Sequence, residues 1–310
     1  MNPDSHSPEL RAANKKLRRT LKPLLQFIPS QRFINWLTHK RAPAKGPNYE
    51  AATSTSMKLG QIECLRVTPN VLKENTSGEQ NVCILYFHGG AYTVGSPRAN
   101  ENDARRLAMS CAATVISVKY TTAINTPYPA AVDDAEAAYE ALCASGVAAD
   151  KIVLAGTSAG GGLVLALLHR LLGKQRTMPV CVVTLSPWLD LSMSYPSVDA
   201  LSAQDVILSR AWTTRAAKMY AGQTAINTPE ISPVHGRFES APPILVLYSK
   251  VEIFRDEIES FSNVLERFGV EAEFYAHNFA PHAWPMVVDD APETEAAFSL
   301  IAQFVSKHTT

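Results

Sequence analysis

The sequence lacks an excess of charge of either sign. Its 310 residues include 29 lysines and arginines and 29 aspartates and glutamates, so the formal net charge is zero with histidine neutral. Proteins that bind nucleic acid usually carry a basic excess, so we expect no nucleic-acid partner. Hydrophobic residues make up 46% and charged residues 19%, which excludes a disordered or fibrous chain and predicts a globular protein with a sizeable core.

Long apolar runs, paired cysteines and metal motifs are also lacking. No run approaches the roughly 20 residues that span a bilayer, and the start lacks the apolar core of a signal peptide. We therefore expect no stable membrane insertion. Five scattered cysteines without CxxC spacing favour buried free thiols in a reducing compartment, which indicates a cytoplasmic location. No HExxH motif or ligand-spaced His/Cys/Asp cluster occurs, so no metal is expected.

The first fifty residues depart from the balanced charge, with ten basic and three acidic side chains. Apolar residues at helical spacing predict an amphipathic helix over 8–28, which Pro23 is expected to kink or divide. Its basic face is either the solvated side of a packed helix, which we favour, or a membrane-associating surface. A second short helix at Phe33–Leu37 and a polar linker at Pro43–Thr55 are predicted to follow.

From about residue 61, short apolar runs alternate with helical stretches. Several runs are apolar at every position, as in strands covered on both faces, so the alternation predicts the α/β class with a parallel sheet wrapped by helices. The predicted strands are Ile62–Val67, Val82–Phe87, Thr114–Val118, Ile152–Ala155, Val180–Leu185, Ile244–Tyr248 and Glu271–Ala276. The predicted helices between and after them are Ala99–Ser110, Ala130–Ala144, Ala159–Leu172, Asp256–Phe268 and Pro292–Lys307.

One connection is much longer than the others. About sixty residues separate Leu185 from Ile244, including the helix-like Arg210–Tyr220. A connection this long predicts an insertion with its own structure, which we expect to pack with the N-terminal helices as a lid over the sheet. Apolar residues of these segments either line an acyl pocket or form the core of the lid: Phe27, Ile28, Phe33, Trp36, Trp212, Met219 and Tyr220.

The central motif is Gly156–Gly160 (GTSAG), which follows a predicted strand and precedes a predicted helix. This strand–turn–helix context is typical of the GxSxG elbow, whose small residues permit a sharp turn that exposes the serine. Ser158 is therefore predicted to be a nucleophile, with the N–H of Ala159 pointing into the same space. The alternative is a phosphate-binding or merely tight turn, but neither GxxxxGK[ST] nor GxGxxG is present.

A second glycine motif, His88–Tyr92 (HGGAY), ends the strand Val82–Phe87. Backbone N–H groups can stabilise an oxyanion only where side chains do not block the approach, so Gly89 and Gly90 are predicted oxyanion-hole donors. Alone, the motif fits a structural turn with a structural histidine equally well. Its position before the elbow matches the order of the two motifs in esterases.

A serine nucleophile needs a base and an orienting acid, which follow it in chain order as acid and then histidine in this type of sheet. His277 and His282 follow the last predicted strand, and we favour His282 because its loop precedes the final helix. The acid is expected after Ile244–Tyr248. We favour Glu252, which lies in the loop itself, over Asp256, which fits a helix cap; Glu257 and Glu259 are further candidates.

Together these motifs resemble the hormone-sensitive lipase family of α/β-hydrolases, mostly bacterial carboxylesterases, in the subgroup with a GTSAG elbow. The resemblance covers roughly residues 60–310. It is carried by HGG at 88–90, Tyr120, PYPAAVDD at 127–134, GTSAGG at 156–161, SPWLDL at 186–191, Glu252 and His282.

The resemblance implies an α/β-hydrolase fold with a mostly parallel eight-stranded sheet and a helical cap in two parts. One part comes from the N-terminus and the other from an insertion after the sixth strand. We therefore expect cap residues at 1–50 and 189–240 and core residues at 51–188 and 241–310. The resemblance also implies no cofactor, a small ester substrate with a short to medium acyl chain, and a homodimer in some members.

The sequence departs from the family pattern in four places. Thr157 stands where many relatives have aspartate, and HGGA replaces HGGG; both leave the machinery intact. The segment Thr121–Asn125 replaces a common Arg-Leu-Ala-Pro-Glu, and Ser249 replaces a frequent glycine, so the neighbouring loops and the substrate preference are expected to differ. The alternative to a Ser–His–Glu esterase is a non-catalytic small-ligand receptor on the same fold. Such receptors typically lose the histidine, which is present here as His282.

Overall fold

Eight strands form a single sheet in the order β1-β2-β4-β3-β5-β6-β7-β8. This arrangement is seen in a computed structural model that describes residues 2–27, 30, 33, 50–73 and 82–309. The strands are β1 Ala52–Leu59, β2 Ile62–Pro69, β3 Cys83–Phe87, β4 Thr114–Val118, β5 Ile152–Thr157, β6 Cys181–Leu185, β7 Ile244–Ser249 and β8 Ala272–His277.

The described helices alternate with these strands as the sequence pattern predicts. They are α1 Pro8–Phe27, α2 Asn70–Lys73, α3 Glu101–Cys111, α4 Ala130–Ala144, α5 Ala159–Gly173, α6 Ser197–Ala200, α7 Arg210–Ala221, α8 Arg255–Arg267, α9 Trp284–Val287 and α10 Pro292–Thr309, with short 3₁₀ turns at Ala149–Lys151 and Pro233–His235. None of these helices is long and apolar enough to cross a bilayer.

The sheet is mostly parallel, as predicted. The strands β3 to β8 pair in parallel, whereas β2 is antiparallel to both β1 and β4. The central strands are buried along their whole length, and alternate residues face two separate apolar layers. In β3, for example, Leu85 packs into one layer and Ile84 into the other. Helices therefore cover both faces and leave the carboxyl edge of the sheet for the loops.

The strand β1 corrects one prediction. The polar linker predicted at Pro43–Thr55 extends into this strand, which begins at Ala52. Its sequence, ATSTSMKL, gives little apolar signal because it is an edge strand whose side chains are mostly exposed or half-buried. The overlooked signal was the hairpin: Leu59 pairs with Ile62 across a two-residue turn, and Gly60 adopts a φ of 56° there.

The N-terminal helix and the insertion pack together. α1 runs undivided through Pro23. The guanidinium of Arg18 donates to the carbonyls of Ala203 and Gln204, and the Lys22 ammonium donates to two further carbonyls of the same segment. Arg215 on α7 donates in turn to the carbonyl of Leu25. The predicted short helix through Trp36 and Leu37 lies outside the described residues.

Candidate active site

Ser158 lies in a strained turn between β5 and α5. Its φ of 54° and ψ of −120° put it in the left-handed region that residues with a Cβ rarely adopt. Backbone bonds hold the turn: the N–H of Ser158 donates to Leu185, and its carbonyl accepts from Trp188. A Cβ on Gly160 would lie 2.0 Å from the carbonyl oxygen of Phe87, so only glycine lets the new helix pass this close to β3.

The glycine loop after β3 lies directly against this turn. A Cβ on Gly89 would lie 3.3 Å from the Cβ of Ser158. Gly90 adopts a φ of 125°, and a Cβ there would lie 2.0 Å from the carbonyl oxygen of Val94. Within the described part of the chain, neither the Gly89 nor the Gly90 N–H donates to a protein acceptor. Both amides are therefore available to a ligand beside the serine.

His88 supports this loop from its own side. Its ring stacks on Tyr120 with centroids 4.4 Å apart, and the Tyr120 hydroxyl donates to the His88 carbonyl at 2.9 Å. The Nδ1 atom of His88 is 2.8 Å from the Gly89 carbonyl oxygen. His88 of the HGG motif therefore holds the glycine loop in place. This role agrees with its prediction as part of the oxyanion loop and not as the catalytic base.

Three side chains from separate loops meet at the carboxyl edge of the sheet. His282 Nε2 is 2.9 Å from Ser158 Oγ, and His282 Nδ1 is 2.6 Å from Glu252 Oε2. All three residues are at most 8% exposed. A carboxylate only accepts hydrogen bonds, so Nδ1 carries the ring proton and Nε2 accepts from the serine hydroxyl. The arrangement can remove a proton from Ser158 and stabilise the resulting imidazolium.

The other candidate histidine, His277, makes no hydrogen bond to the serine within the described residues. His277 is buried at the end of β8, and its Nδ1 accepts from the N–H groups of Phe279 and Ala280 at 3.2 and 3.0 Å. Burial lowers the pKa of this imidazole below its ordinary value. His277 therefore shapes the loop that carries His282.

The other candidate acids have structural partners. Asp256 accepts from the N–H of Ser197 at 2.8 Å, which joins α8 to α6 and is not the helix cap expected for it. Glu257 is buried and accepts from the N–H of Leu189 at 2.7 Å, and burial raises its pKa well above the ordinary value. Glu259 pairs with a lysine that follows β7. None of these three acids contacts His282 in the described residues.

Two residues that no sequence motif marks support the loops of the acid and the base. Ser249 Oγ donates to the Ala280 carbonyl at 2.5 Å, so the serine that replaces a glycine ties the two loops together. Asp205, from the insertion, is buried and accepts from the N–H of Ile253 at 3.1 Å, next to Glu252. Burial raises the pKa of Asp205, whereas the nearby His282 lowers it. No sequence signal marked Asp205, which lies in a polar segment without a motif.

Ser158 and His282 line a cavity of about 200 Å³, whereas Glu252 lies behind the histidine. Of the apolar residues predicted for this role, Trp212 lines it. Tyr220 instead stacks on Tyr92 in the core, and Phe27 is 73% exposed. The cavity wall is formed by α1, the insertion, the N-terminal end of α3, α9 and the loops around the elbow: Leu21, Leu25, Gly89, Gly90, Val94, Asn100, Asp103, Ile207, Leu208, Trp212, Met286 and Val287.

Metal ligands and cysteine thiols provide no second reactive centre in the described part of the chain. No three His, Cys, Asp or Glu side chains cluster there in a way that could hold a metal ion. The five cysteines are free; Cys64, Cys83 and Cys181 are buried and the other two half-buried. Burial raises the pKa of the Cys64 thiol to about 11 and that of Cys83 to about 12, so these thiols are poor nucleophiles near neutral pH.

The fold and this constellation define the class of serine hydrolases built on a mostly parallel, helix-covered sheet. Residues 84–286 match the model of the alpha/beta hydrolase fold family, and the chain belongs to that family. An acetyl-hydrolase of Streptomyces hygroscopicus is 31% identical over 73% of this chain and 76% of its own length. An esterase of Acinetobacter venetianus is 29% identical over 81% of this chain and 82% of its own.

Solved structures agree with these relatives. An esterase of the bacterial hormone-sensitive lipase family superposes with a TM-score of 0.86 at 26% identity, over 99% of this chain and 100% of its own. A hormone-sensitive lipase from a metagenome library gives 0.84 at 28% identity, over 99% of both chains. The predicted resemblance to bacterial hormone-sensitive lipases is confirmed, as is the prediction of an esterase-type enzyme.

Proposed function

We propose that this protein hydrolyses carboxylic esters with short to medium acyl chains, with Ser158 as nucleophile, His282 as base and Glu252 as orienting acid. The observation that carries the proposal is the continuous hydrogen-bonded relay from Ser158 Oγ through both ring nitrogens of His282 to Glu252. It opens onto an apolar cavity, which suits an acyl chain. The esterase relatives support the same reaction class.

In the proposed reaction, His282 Nε2 takes the proton of Ser158 while Oγ attacks the ester carbonyl carbon. Glu252 holds the imidazole by its Nδ1–H and stabilises the imidazolium that forms. The tetrahedral intermediate collapses, His282 protonates the leaving alcohol, and Ser158 keeps the acyl group. Water then repeats the sequence and releases the carboxylic acid.

The oxyanion is held by the N–H groups of Gly89, Gly90 and Ala159 in this proposal. The first two lack protein acceptors among the described residues, and an amide at the first position of a helix has no acceptor within the helix. The positive end of α5 adds to the stabilisation of negative charge. Losing one such donor typically reduces the rate by about 10²–10³-fold.

We further propose that residues 1–50 and 189–240 act as a two-part cap over a core formed by 51–188 and 241–310. The contacts between α1 and the insertion support this division, because residues from both line the cavity. The N-terminal helix then has Leu21 and Leu25 over the site, while Arg18 and Lys22 bind the insertion and its other basic side chains are exposed. A cytoplasmic location and a homodimer stay predictions.

The cavity size predicts a preference for short acyl chains. Drug-sized ligands usually occupy pockets of about 300–1,000 Å³, and 200 Å³ is smaller. In a series of p-nitrophenyl esters from acetate to laurate, we expect kcat/KM to peak at the short end, at butyrate or below, and to fall for longer chains that cannot be enclosed. A maximum at the longest chains would contradict the proposed substrate class.

Covalent labelling distinguishes the proposed enzyme from the receptor alternative. A fluorophosphonate reacts only with an activated serine, so we expect stoichiometric labelling, with the modified peptide containing Ser158. Heat-denatured protein serves as the control and should remain unlabelled. A folded protein that binds small esters but neither reacts with the probe nor hydrolyses p-nitrophenyl butyrate would be a receptor.

A further inference from the structure

A buried carboxyl group lies in the wall of the catalytic cavity and takes no part in the proposed reaction. Asp103, in the first turn of α3, is 6% exposed and lines the cavity beside Asn100. Buried acids are usually paired with a cation. The side-chain partners of Asp103 in the described chain are instead neutral: the Tyr86 hydroxyl at 3.1 Å and the Asn100 amide at 3.2 Å.

The two oxygens of this carboxyl group differ in their environment. Both of these hydrogen bonds end on Oδ2. Within the described residues, no hydrogen-bond donor reaches Oδ1. This oxygen is nevertheless not one of the fully buried polar atoms that lack a partner, so it retains some solvent exposure. Because Asp103 lines the cavity, Oδ1 is the oxygen that a bound molecule can reach.

The position of Asp103 relative to the nucleophile is fixed by a short chain of hydrogen bonds. The Tyr86 hydroxyl, which donates to Asp103, is also 3.0 Å from the hydroxyl oxygen of Thr157. Thr157 directly precedes Ser158 and is the residue that stands where many relatives have aspartate. Since β3, β5 and α3 carry these groups, the carboxyl group has a rigid setting.

We propose that Asp103 is a specificity-determining residue that binds a hydrogen-bond donor, a hydroxyl or ammonium group, carried by the ester in the cavity. The inference rests on the proposed function and names a feature of its substrate. Most of the surrounding wall is apolar, including Leu21, Leu25, Trp212 and Met286. A plain hydrocarbon ester that displaces water from Oδ1 leaves the oxygen unpaired, which disfavours that ester against one with a donor.

The charge of this group changes near neutral pH. Burial raises the pKa of Asp103 to about 7; the charge of Arg106 opposes this rise and that of Asp289 adds to it. Tyr86 faces the same carboxyl group, and His282 borders the same cavity. Below this pKa the neutral carboxyl group carries its proton on Oδ1, because Oδ2 accepts two hydrogen bonds, and this O–H can both donate to and accept from a hydroxyl. Above this pKa the carboxylate favours an ammonium group. The preference for a cationic ester should therefore rise as pH increases through about 7.

Matched ester pairs test the inference through ratios of kcat/KM. One pair is p-nitrophenyl 3-hydroxybutyrate against p-nitrophenyl butyrate, which places the donor on the acyl side. The other is 2-(dimethylamino)ethyl butyrate against its isostere 3-methylbutyl butyrate, which places it on the alcohol side. We expect the donor-bearing ester to be favoured in at least one pair by about tenfold, the usual effect of one charge-assisted hydrogen bond. Each ratio cancels the ionisation of His282, which both esters share.

Two variants and one control assign the effect to Asp103. Asp103→Leu should lower the favoured ratio about tenfold, whereas Asp103→Asn should retain a preference for the hydroxyl and lose that for the ammonium group. Asp256→Asn removes a carboxylate outside the cavity and should leave the ratio unchanged. Equal ratios in the wild type and Asp103→Leu for both pairs, with hydrolysis intact, would overturn the inference. Failure of every ester to react would instead contradict the proposed function.

Discussion

Ser158→Ala is expected to reduce kcat for p-nitrophenyl butyrate by about 10⁴–10⁶-fold, because no other nucleophile is in place to form the acyl-enzyme. The substitution removes the hydroxyl that lies 2.9 Å from His282 Nε2. Alanine has the same Cβ as serine, so the strain at a φ of 54° does not change and the elbow should survive. The melting temperature and the far-ultraviolet circular dichroism should stay close to those of the wild type.

Ser117→Ala provides a matched control for this experiment. Ser117 is also fully buried, in β4, and its hydroxyl has no hydrogen-bond partner in the described chain. Removing an unpaired buried hydroxyl is neutral or stabilising, so both fold and activity should persist. If Ser158→Ala retained more than about a tenth of wild-type kcat, a difference of barely 1.4 kcal/mol in the barrier, Ser158 would not be the nucleophile.

The strands and helices of the core were predictable because each carries a strong local signal. The runs that form β3, β5, β6 and β7 are apolar at every position, and the structure buries all of them on both faces. The edge strand β1 was not found because neither of its faces is consistently buried, so its sequence has no apolar period. Its hairpin glycine was the single local indication of a strand.

The site was predictable to the extent that backbone geometry constrains the residue type. The elbow and the loop after β3 need glycine where a Cβ would collide with a carbonyl oxygen, as at Gly90 and Gly160. Asp103 and Asp205 could not be predicted, because the role of a single acid depends on the residues that surround it in space. Each is buried by segments distant in sequence, and no spacing rule connects α3 or the insertion to the elbow.

Glu252→Gln is expected to lower kcat/KM by about 10³–10⁴-fold, since removing the charge of the orienting acid in a triad costs about this much. The introduced amide is nearly isosteric with the carboxylate and would lie where Oε2 now accepts from His282 Nδ1 at 2.6 Å. A neutral amide stabilises the imidazolium less well, and its NH₂ group can favour the wrong ring tautomer. The variant should still react slowly with a fluorophosphonate, because Ser158 and His282 remain in contact.

Asp256→Asn is the control that decides between the two acids. It is close in sequence to Glu252 and has the same chemistry, but its carboxylate accepts from Ser197 on α6. Its loss should cost about 1 kcal/mol of stability, from the weakened hydrogen bond to Ser197 and the lost ion pair with the adjacent Arg255, and change kcat/KM by no more than about twofold. Collapse of the rate in Asp256→Asn, with Glu252→Gln active, would reverse the assignment. If both variants stayed active, His282 would not need a charged acid. That outcome is physically unfavourable, because the buried Nδ1–H of His282 would then have only an uncharged partner.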